Sequence, residues 1–178
     1  MSSLLASDLE QALDHLPALS LLAEDVRRLL IASFVPVEYP FGAVIVTEGD
    51  PADAFYLLVT GSARVLKRGE DGDEVPLSVL RAGDSFGESG LLEKGPRTAT
   101  VRASEKVEVL RLDGAVFSAL TASHPEVRSM FEAVAKQRAL WNFLRVHSSF
   151  GDLPADALAA LASGLQRIEM PQGRTIIR

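Results

Sequence analysis

Short apolar runs separated by glycines constrain the fold of this chain more than any other feature. Between Val35 and Leu112 the runs are VPVEY, AVIVT, AFYLLVTGSARVLK, VPLSVL, TATVRAS and VEVLRL. The glycines that punctuate this region are Gly42, Gly49, Gly61, Gly69, Gly72 and Gly83. Short strands with regular glycine turns are typical of a β-sandwich or barrel. The polar stretch from Arg68 to Glu74 predicts a solvated hairpin tip.

Helical periodicity flanks this β-rich region on both sides. Residues 3–33 carry apolar side chains at three- and four-residue spacing, which predicts two helices separated by Pro17, with Asp25 in the first turn of the second. The sequence His124–Pro125–Glu126 predicts the start of a long helix that runs to Val146. Its apolar stripe comprises Val127, Met130, Phe131, Val134, Trp141 and Leu144. We interpret this stripe as a packing face against the barrel or against a partner chain.

Composition narrows the class of protein. The 178 residues include no cysteine, which excludes disulfides and a thiolate zinc site. No apolar run approaches the roughly 18 residues that span a bilayer, and the N-terminus lacks the basic start of a signal peptide. We therefore expect a soluble, cytoplasmic chain without membrane contact. Its net charge of −6 disfavours broad binding of nucleic acid.

The segment from Phe86 to Val101 contains the residues best suited to binding a ligand. Phe86 offers an apolar anchor, and Gly87 lets the backbone approach a ligand closely. The residues from Glu88 to Leu92 predict a single helical turn with outward amides, and Arg97 is expected at the beginning of a strand, directed back at that turn. Amides and a guanidinium suit a phosphate, and the Glu88 carboxylate suits a sugar hydroxyl. The predicted fold class is α+β: N-terminal helices, a β jelly-roll barrel with a short phosphate-binding helix, and a long C-terminal helix.

The order of these residues resembles the cyclic nucleotide-binding domain family. Phe86–Gly87–Glu88 leads through Leu91–Leu92 to Pro96–Arg97–Thr98–Ala99–Thr100, and the resemblance covers about residues 20 to 145. It implies that Glu88 binds the ribose 2′-hydroxyl and that Arg97 pairs with the cyclic phosphate. The ligand would be cAMP or cGMP, with a lean toward cAMP.

The resemblance also implies roles for the surrounding residues. The amides of Gly87 and Ser89, with the amide or hydroxyl of Thr98, would complete the phosphate cradle beside Ala99. Leu91 would pack next to the sugar as a hinge. Trp141 is the candidate cap over the base.

Each role has a structural alternative. Glu88 and Arg97 could form an ion pair with each other, Thr98 could only fill a strand, and Trp141 could be plain packing. A hydroxyl at Thr98 accompanies cGMP in some members of the family, so the choice of nucleotide stays open. A degenerate domain that keeps the fold as an interaction or oligomerisation scaffold without ligand is the alternative function.

The sequence disfavours two other functions, catalysis and DNA binding. The histidines, His15, His124 and His147, all lie outside the β-rich region, so a cupin-type metal site cannot form in the barrel. We expect no metal, no catalytic residues and no enzyme. A transcription factor of the cyclic-nucleotide receptor type would need a basic helix-turn-helix after the long helix.

The end of the chain instead repeats its beginning. At an offset of 131, residues 150–178 match residues 19–47, for example at Glu38/Glu169 and Gly42/Gly173. We predict a lead-in at 1–18, a cyclic nucleotide-binding domain at 19–146, and a truncated second repeat at 147–178.

The long helix is expected to change position when the ligand binds and so to control a downstream effector module in the same polypeptide. It could also pair two copies of the chain in a homodimer.

Overall fold

The computed structural model describes residues 20–69 and 71–147, together with residues 153, 157, 160 and 164. The predicted lead-in at 1–18, with Pro17, lies outside the described residues, as does nearly all of the predicted second repeat. The chain is divided into two compact units, which comprise residues 1–138 and residues 139–178. Among the described residues, no helix is long and apolar enough to cross a membrane.

Four helices and eight strands make up the described part of the chain. The helices are α1 (Glu24–Ala32), α2 (Glu88–Glu93), α3 (Gly114–Ser123) and α4 (Pro125–His147). The strands are β1 (Val35–Tyr39), β2 (Val44–Val46), β3 (Ala54–Thr60), β4 (Ser62–Arg68), β5 (Glu74–Arg81), β6 (Ser85–Phe86), β7 (Thr100–Ala103) and β8 (Val107–Asp113). The last helix continues from the first unit into the second.

The strands form two four-stranded antiparallel sheets in the first unit. One sheet has the order β1-β8-β3-β6 and the other has the order β2-β7-β4-β5. Buried side chains from both sheets form one shared cluster, which includes Ile45, Ala63 and Val101 from one sheet and Leu58 and Val109 from the other. The sheets therefore enclose a sandwich core, and the predicted α+β class with a β jelly-roll is confirmed.

Strand β3 is buried on both faces, and this explains its unbroken apolar sequence. Side chains alternate across a strand, so Ala54, Tyr56 and Leu58 enter the sandwich core. Phe55 and Leu57 point the other way, into a second cluster formed with the helices. A strand covered on both faces shows a continuous hydrophobic run instead of strict alternation.

The helices cover the outer face of this sheet through an aromatic cluster. Phe55 stacks on Phe117 of α3 at a centroid distance of 5.2 Å, and its ring lies 5.3 Å from that of Phe131 of α4. Val127 is fully buried in the same cluster, and Met130 packs against it. The first half of the predicted α4 stripe therefore packs on the sandwich, whereas Trp141 and Leu144 belong to the second unit.

Two elements were missing from the sequence interpretation. Helix α3 begins directly after β8, where the Asp113 side chain accepts a hydrogen bond from the Ala115 amide at 2.8 Å as an N-cap. Strand β6 is only two residues long, too short to give a periodic signal.

Helix α2 ends with a residue in a conformation that glycine normally occupies. Lys94 has φ 52° and ψ 38°. Among the described residues, it is the only one other than glycine with a positive φ. The Gly95 amide donates to the Gly90 carbonyl at 2.9 Å, which is the closing bond of a Schellman motif. A side chain in this left-handed region costs about 1 kcal/mol relative to glycine.

We expect Lys94→Gly to stabilise the protein by roughly 0.5 to 1 kcal/mol, because it relieves this strain and loses only part of the gain to chain entropy. Lys94→Ala is the matched control, since alanine also carries a Cβ and removes the same charge. The free energies of unfolding would be measured in urea. Equal stability of the two variants would show that Lys94 is unstrained.

Candidate ligand-binding site

The position of the site is set by a cross-strand aromatic pair. Phe86 of β6 lies opposite Tyr56 of β3, and their rings stack with centroids 4.9 Å apart and planes 9° from parallel. Both rings are buried in the sandwich core. This pair holds Gly87, the next residue, against the central strand, and the predicted helical turn begins directly after it as α2.

Gly87 leaves room for a buried arginine. Its φ is 90°, and a Cβ at this position would lie 2.6 Å from Nη1 of Arg97 and 2.9 Å from the Ala54 carbonyl oxygen. Arg97 Nη1 donates a hydrogen bond to the Gly87 carbonyl at 3.2 Å. The absence of a side chain at Gly87 is therefore a condition for the observed place of the guanidinium.

Arg97 lies in the segment before β7 and is not part of that strand, which corrects the sequence prediction. Its amide donates to the Asp50 carbonyl at 2.8 Å, and its carbonyl accepts from the Gly49 amide at 2.9 Å. These bonds attach it to the loop that joins β2 and β3. The guanidinium still points back to the start of α2, as predicted, and its side chain is only 3% exposed.

The Arg97 guanidinium pairs with Asp53, at the end of the β2–β3 loop. Arg97 Nη2 lies 2.7 Å from Asp53 Oδ1, and the guanidinium carbon lies 5.6 Å from the centroid of the Tyr56 ring. Asp53 Oδ2 lies 3.0 Å from Nη2 of Arg111, a residue of β8. Burial acts to raise the pKa of the Asp53 carboxyl, but hydrogen bonds from Arg111 and Arg97 outweigh it and hold that pKa below its ordinary value.

Glu88 is buried and pairs with a different arginine. Its side chain is 1% exposed, and its Oε1 accepts a hydrogen bond from Nη1 of Arg138 on α4 at 2.8 Å. The Ser89 hydroxyl lies 3.5 Å from the same oxygen. Oε2 is buried and has no hydrogen-bond partner among the described residues. Glu88 and Arg97 therefore do not form the mutual ion pair that was the structural alternative.

The remaining predicted residues lie at different distances from this centre. Thr98 is exposed, and its carbonyl accepts from Lys67 Nζ at 2.8 Å, while Ala99 is buried. Leu91 packs against the helical aromatic cluster. Trp141 is half-buried in the second unit, three residues after Arg138 on α4.

Sequence reasoning missed Asp53, Arg111 and Arg138. Asp53 is 44 residues from Arg97, Arg111 is 58 from Asp53, and Arg138 is 50 from Glu88. No spacing rule links such positions. The available signal was indirect: buried charges need partners, so a buried Arg97 and Glu88 each implied an opposite charge elsewhere.

The site combines a guanidinium, a free carboxylate oxygen and a backbone without side-chain bulk. Arginine suits bidentate contact with a phosphate, and an unpartnered buried oxygen suits a ligand hydroxyl. No group of three or more metal-ligating side chains occurs in the described part of the chain. The arrangement is therefore suited to binding an anionic, hydroxylated small molecule.

The sequence is similar to a known protein family and to known regulatory proteins. The family model described as "Cyclic nucleotide-binding domain" matches residues 36–124. A cAMP-dependent protein kinase regulatory subunit from Aspergillus fumigatus is 37% identical over 127 residues, which are 71% of this chain and 30% of that protein. A CRP-like cAMP-activated global transcriptional regulator from Mycobacterium tuberculosis is 27% identical over 139 residues, 78% of this chain and 62% of the regulator.

A solved structure shows the same fold. The regulatory domain of Toxoplasma gondii PKA, crystallised with cAMP, aligns with a TM-score of 0.66 and 27% identity, covering 74% of this chain and 49% of that chain. This chain thus spans less than two thirds of each of these relatives. They are regulatory proteins, so the prediction that the domain is not an enzyme is confirmed.

We expect Gly87→Ala to destabilise the protein by about 2 to 3 kcal/mol, since its Cβ would collide with Arg97 and Ala54 and would also occupy a strained φ. Gly72→Ala, in the β4–β5 hairpin, is the control, because its φ is 87° and nothing lies within 4 Å of an added Cβ. It should cost only about 1 kcal/mol. Equal losses in urea unfolding would show that Arg97 does not press against Gly87.

We expect the Asp53 carboxylate to stabilise the fold above its ordinary pKa of 3.8 and to lose that contribution as the pH falls through its lower folded value. Its side chain is 60% exposed, so the effect is modest. The stability gap between the wild type and Asp53→Asn should therefore narrow in acid. Urea unfolding from about pH 6 to pH 3 measures it. A gap that is independent of pH would mean that Asp53 is not charged in this network.

Proposed function

Because this chain belongs to the cyclic nucleotide-binding domain family, we propose that it binds cAMP or cGMP and acts as the regulatory or sensor domain of a larger protein. The observation that carries this proposal is the buried Arg97 guanidinium beside the bare backbone of Gly87. Burying a guanidinium is costly, and a fold tolerates it where the charge has a task or a partner.

Arg97 binds the cyclic phosphate in this proposal. It is held from one side by Asp53 and from the other by the Gly87 carbonyl, which fixes the plane of the guanidinium. Preorganisation of this kind lowers the entropy cost of binding. The amides of Gly87 and Ser89, with Thr98 and Ala99, line the phosphate as the resemblance implies.

Glu88 binds the ribose 2′-hydroxyl through the oxygen that the protein leaves unpartnered. Arg138 occupies Oε1 and leaves Oε2 for the ligand. A hydroxyl donating to this buried oxygen removes a desolvation cost of about 1 to 3 kcal/mol. The same contact explains why a carboxylate stands near a phosphate site without being repelled out of it.

Two observations bear on the choice of nucleotide. Relatives with cAMP in their names favour cAMP, whereas the exposed Thr98 keeps a hydroxyl available for a guanine amino group. We therefore favour cAMP as the ligand. Trp141 remains the proposed cap over the base, with Leu91 beside the sugar.

Binding would be transmitted through α2 and α4. The Glu88–Arg138 pair joins the start of α2 to α4, so a ligand that takes part in this pair acts on both helices. A cavity of about 600 Å³ next to α2 is lined in part by Gly90, Leu91 and Ala115. A ligand moves such an equilibrium only by its different affinity for the two states.

The domain boundaries stay as the sequence predicts them. The proposal assigns the binding domain to residues 19–146, a lead-in to residues 1–18 and a second repeat to residues 147–178. The effector module would lie downstream in the same polypeptide, and pairing of two copies through the C-terminal helix remains a prediction. A cytoplasmic location also stays a prediction.

Isothermal titration calorimetry with cAMP and with cGMP tests the proposal on the 178-residue chain. Arg97→Ala should weaken binding at least tenfold, since a charge-assisted phosphate contact contributes on the order of 2 kcal/mol. Arg102→Ala is the control, because Arg102 bonds Glu74 and both residues lie in the β2-β7-β4-β5 sheet, whereas Tyr56 and Arg111 lie in the other sheet. It should leave affinity unchanged.

Binding of neither nucleotide by the folded wild type would contradict the sensor function and favour the scaffold alternative. Trp141 is the single tryptophan of the chain, so its emission reports the proposed cap without labelling. A change in emission at saturating nucleotide supports the cap, and unchanged emission alongside calorimetric binding removes it.

A further inference from the structure

Arg111 is a charged residue of the site that the ligand contacts above do not use. It lies on the central strand β8, directly opposite Tyr56 of β3 in the antiparallel register. Tyr56 belongs to the sandwich core, so Arg111 shares the face of the sheet that carries the site. Its side chain is 30% exposed and reaches Asp53 at 3.0 Å.

Asp53 is divided between two arginines, with one oxygen for each. Oδ1 accepts from Arg97 and Oδ2 accepts from Arg111. Two guanidinium charges therefore face one carboxylate charge, and this cluster keeps an excess positive charge. An exclusive pair of Arg97 with Asp53 would be neutral and would compete with an incoming anion.

We propose that Arg111 is a positioning residue for nucleotide binding: it anchors Asp53 so that Asp53 orients Arg97 without neutralising it. The inference rests on the proposed function of the site. When a phosphate approaches Arg97, Asp53 still has Arg111 as its partner, so the carboxylate is not left unpaired. An unpaired charge at this place would otherwise oppose the binding of the phosphate.

The strand register also places Arg111 at the same centre, directly across the sheet from Tyr56. The hydrogen bond to Asp53 raises the pKa of the Arg111 guanidinium, and burial opposes this increase. The Tyr56 ring in turn lies under Arg97. Arg111 thus bonds Asp53 and lies opposite Tyr56 in the sheet, and these are the two side chains that flank the Arg97 guanidinium.

The test is a double-mutant cycle read by calorimetry with cAMP and cGMP. Arg111→Met, which keeps an apolar stem, should weaken binding about tenfold. In an Asp53→Asn background the same substitution should change affinity by less than about threefold, because its route of action is gone. Arg111→Lys should restore part of the wild-type affinity.

Arg102→Met is the matched control. Arg102 also pairs with a carboxylate, Glu74, its side chain is also 30% exposed, and its loss removes the same charge from the chain. Its affinity should stay within twofold of the wild type. An NMR titration without nucleotide adds a second readout: the pKa of Asp53 should rise in Arg111→Met and not in Arg102→Met.

Several results would overturn the proposal. These are an unchanged affinity in Arg111→Met, an equal loss in both Asp53 backgrounds, or an unchanged Asp53 pKa. Should Arg111→Met unfold, Arg111→Lys takes its place in the double-mutant cycle. Wild-type affinity of Arg111→Lys in both Asp53 backgrounds would then count against the positioning role of Arg111. If the wild type and Arg102→Met both fail to bind, the proposed function fails first and this inference falls with it.

Discussion

The compensation of one buried guanidinium organises much of this structure. Arg97 is nearly inaccessible to water, so its donors and its charge must be satisfied by the protein. Asp53, the Gly87 carbonyl and the face of Tyr56 do this, and they come from the β2–β3 loop, the start of α2 and strand β3. A fold that brought together fewer of these groups would have to expose Arg97.

Strand β3 connects this polar centre to the helices. Adjacent residues of the strand face opposite cores: Tyr56 stacks on Phe86 beside the site, and Phe55 packs against Phe117 and Phe131 of α3 and α4. The site and the helical cluster therefore share strand β3. Because tightly packed interiors transmit displacements, a shift on one face of this strand is felt on the other. The Glu88–Arg138 pair makes a second, polar connection between α2 and α4. These two connections differ in kind, since the first is apolar packing and the second depends on charge.

Local patterns in the sequence predicted most of the fold. The strand at Val35–Tyr39, the hairpin near Gly72 and the helix start at Pro125 all follow from short-range rules of turn, strand and cap. The two missed elements show where such rules end. Strand β6 has two residues and exists through its pairing with β3, and α3 follows β8 without an intervening loop. Neither leaves a separate periodic signal.

The sequence by itself determined most strands of the sandwich, the turn around Gly87 and the presence of an arginine and a glutamate in one short segment. Only the tertiary structure decided which charges meet: Arg97 with Asp53, Asp53 with Arg111, and Glu88 with Arg138. The physical reason is that periodicity and turn chemistry act over a few residues, whereas these pairs join positions 44 to 58 residues apart. Their partners are selected by the register of β3 against β8 and by the packing of α4, which no local pattern records.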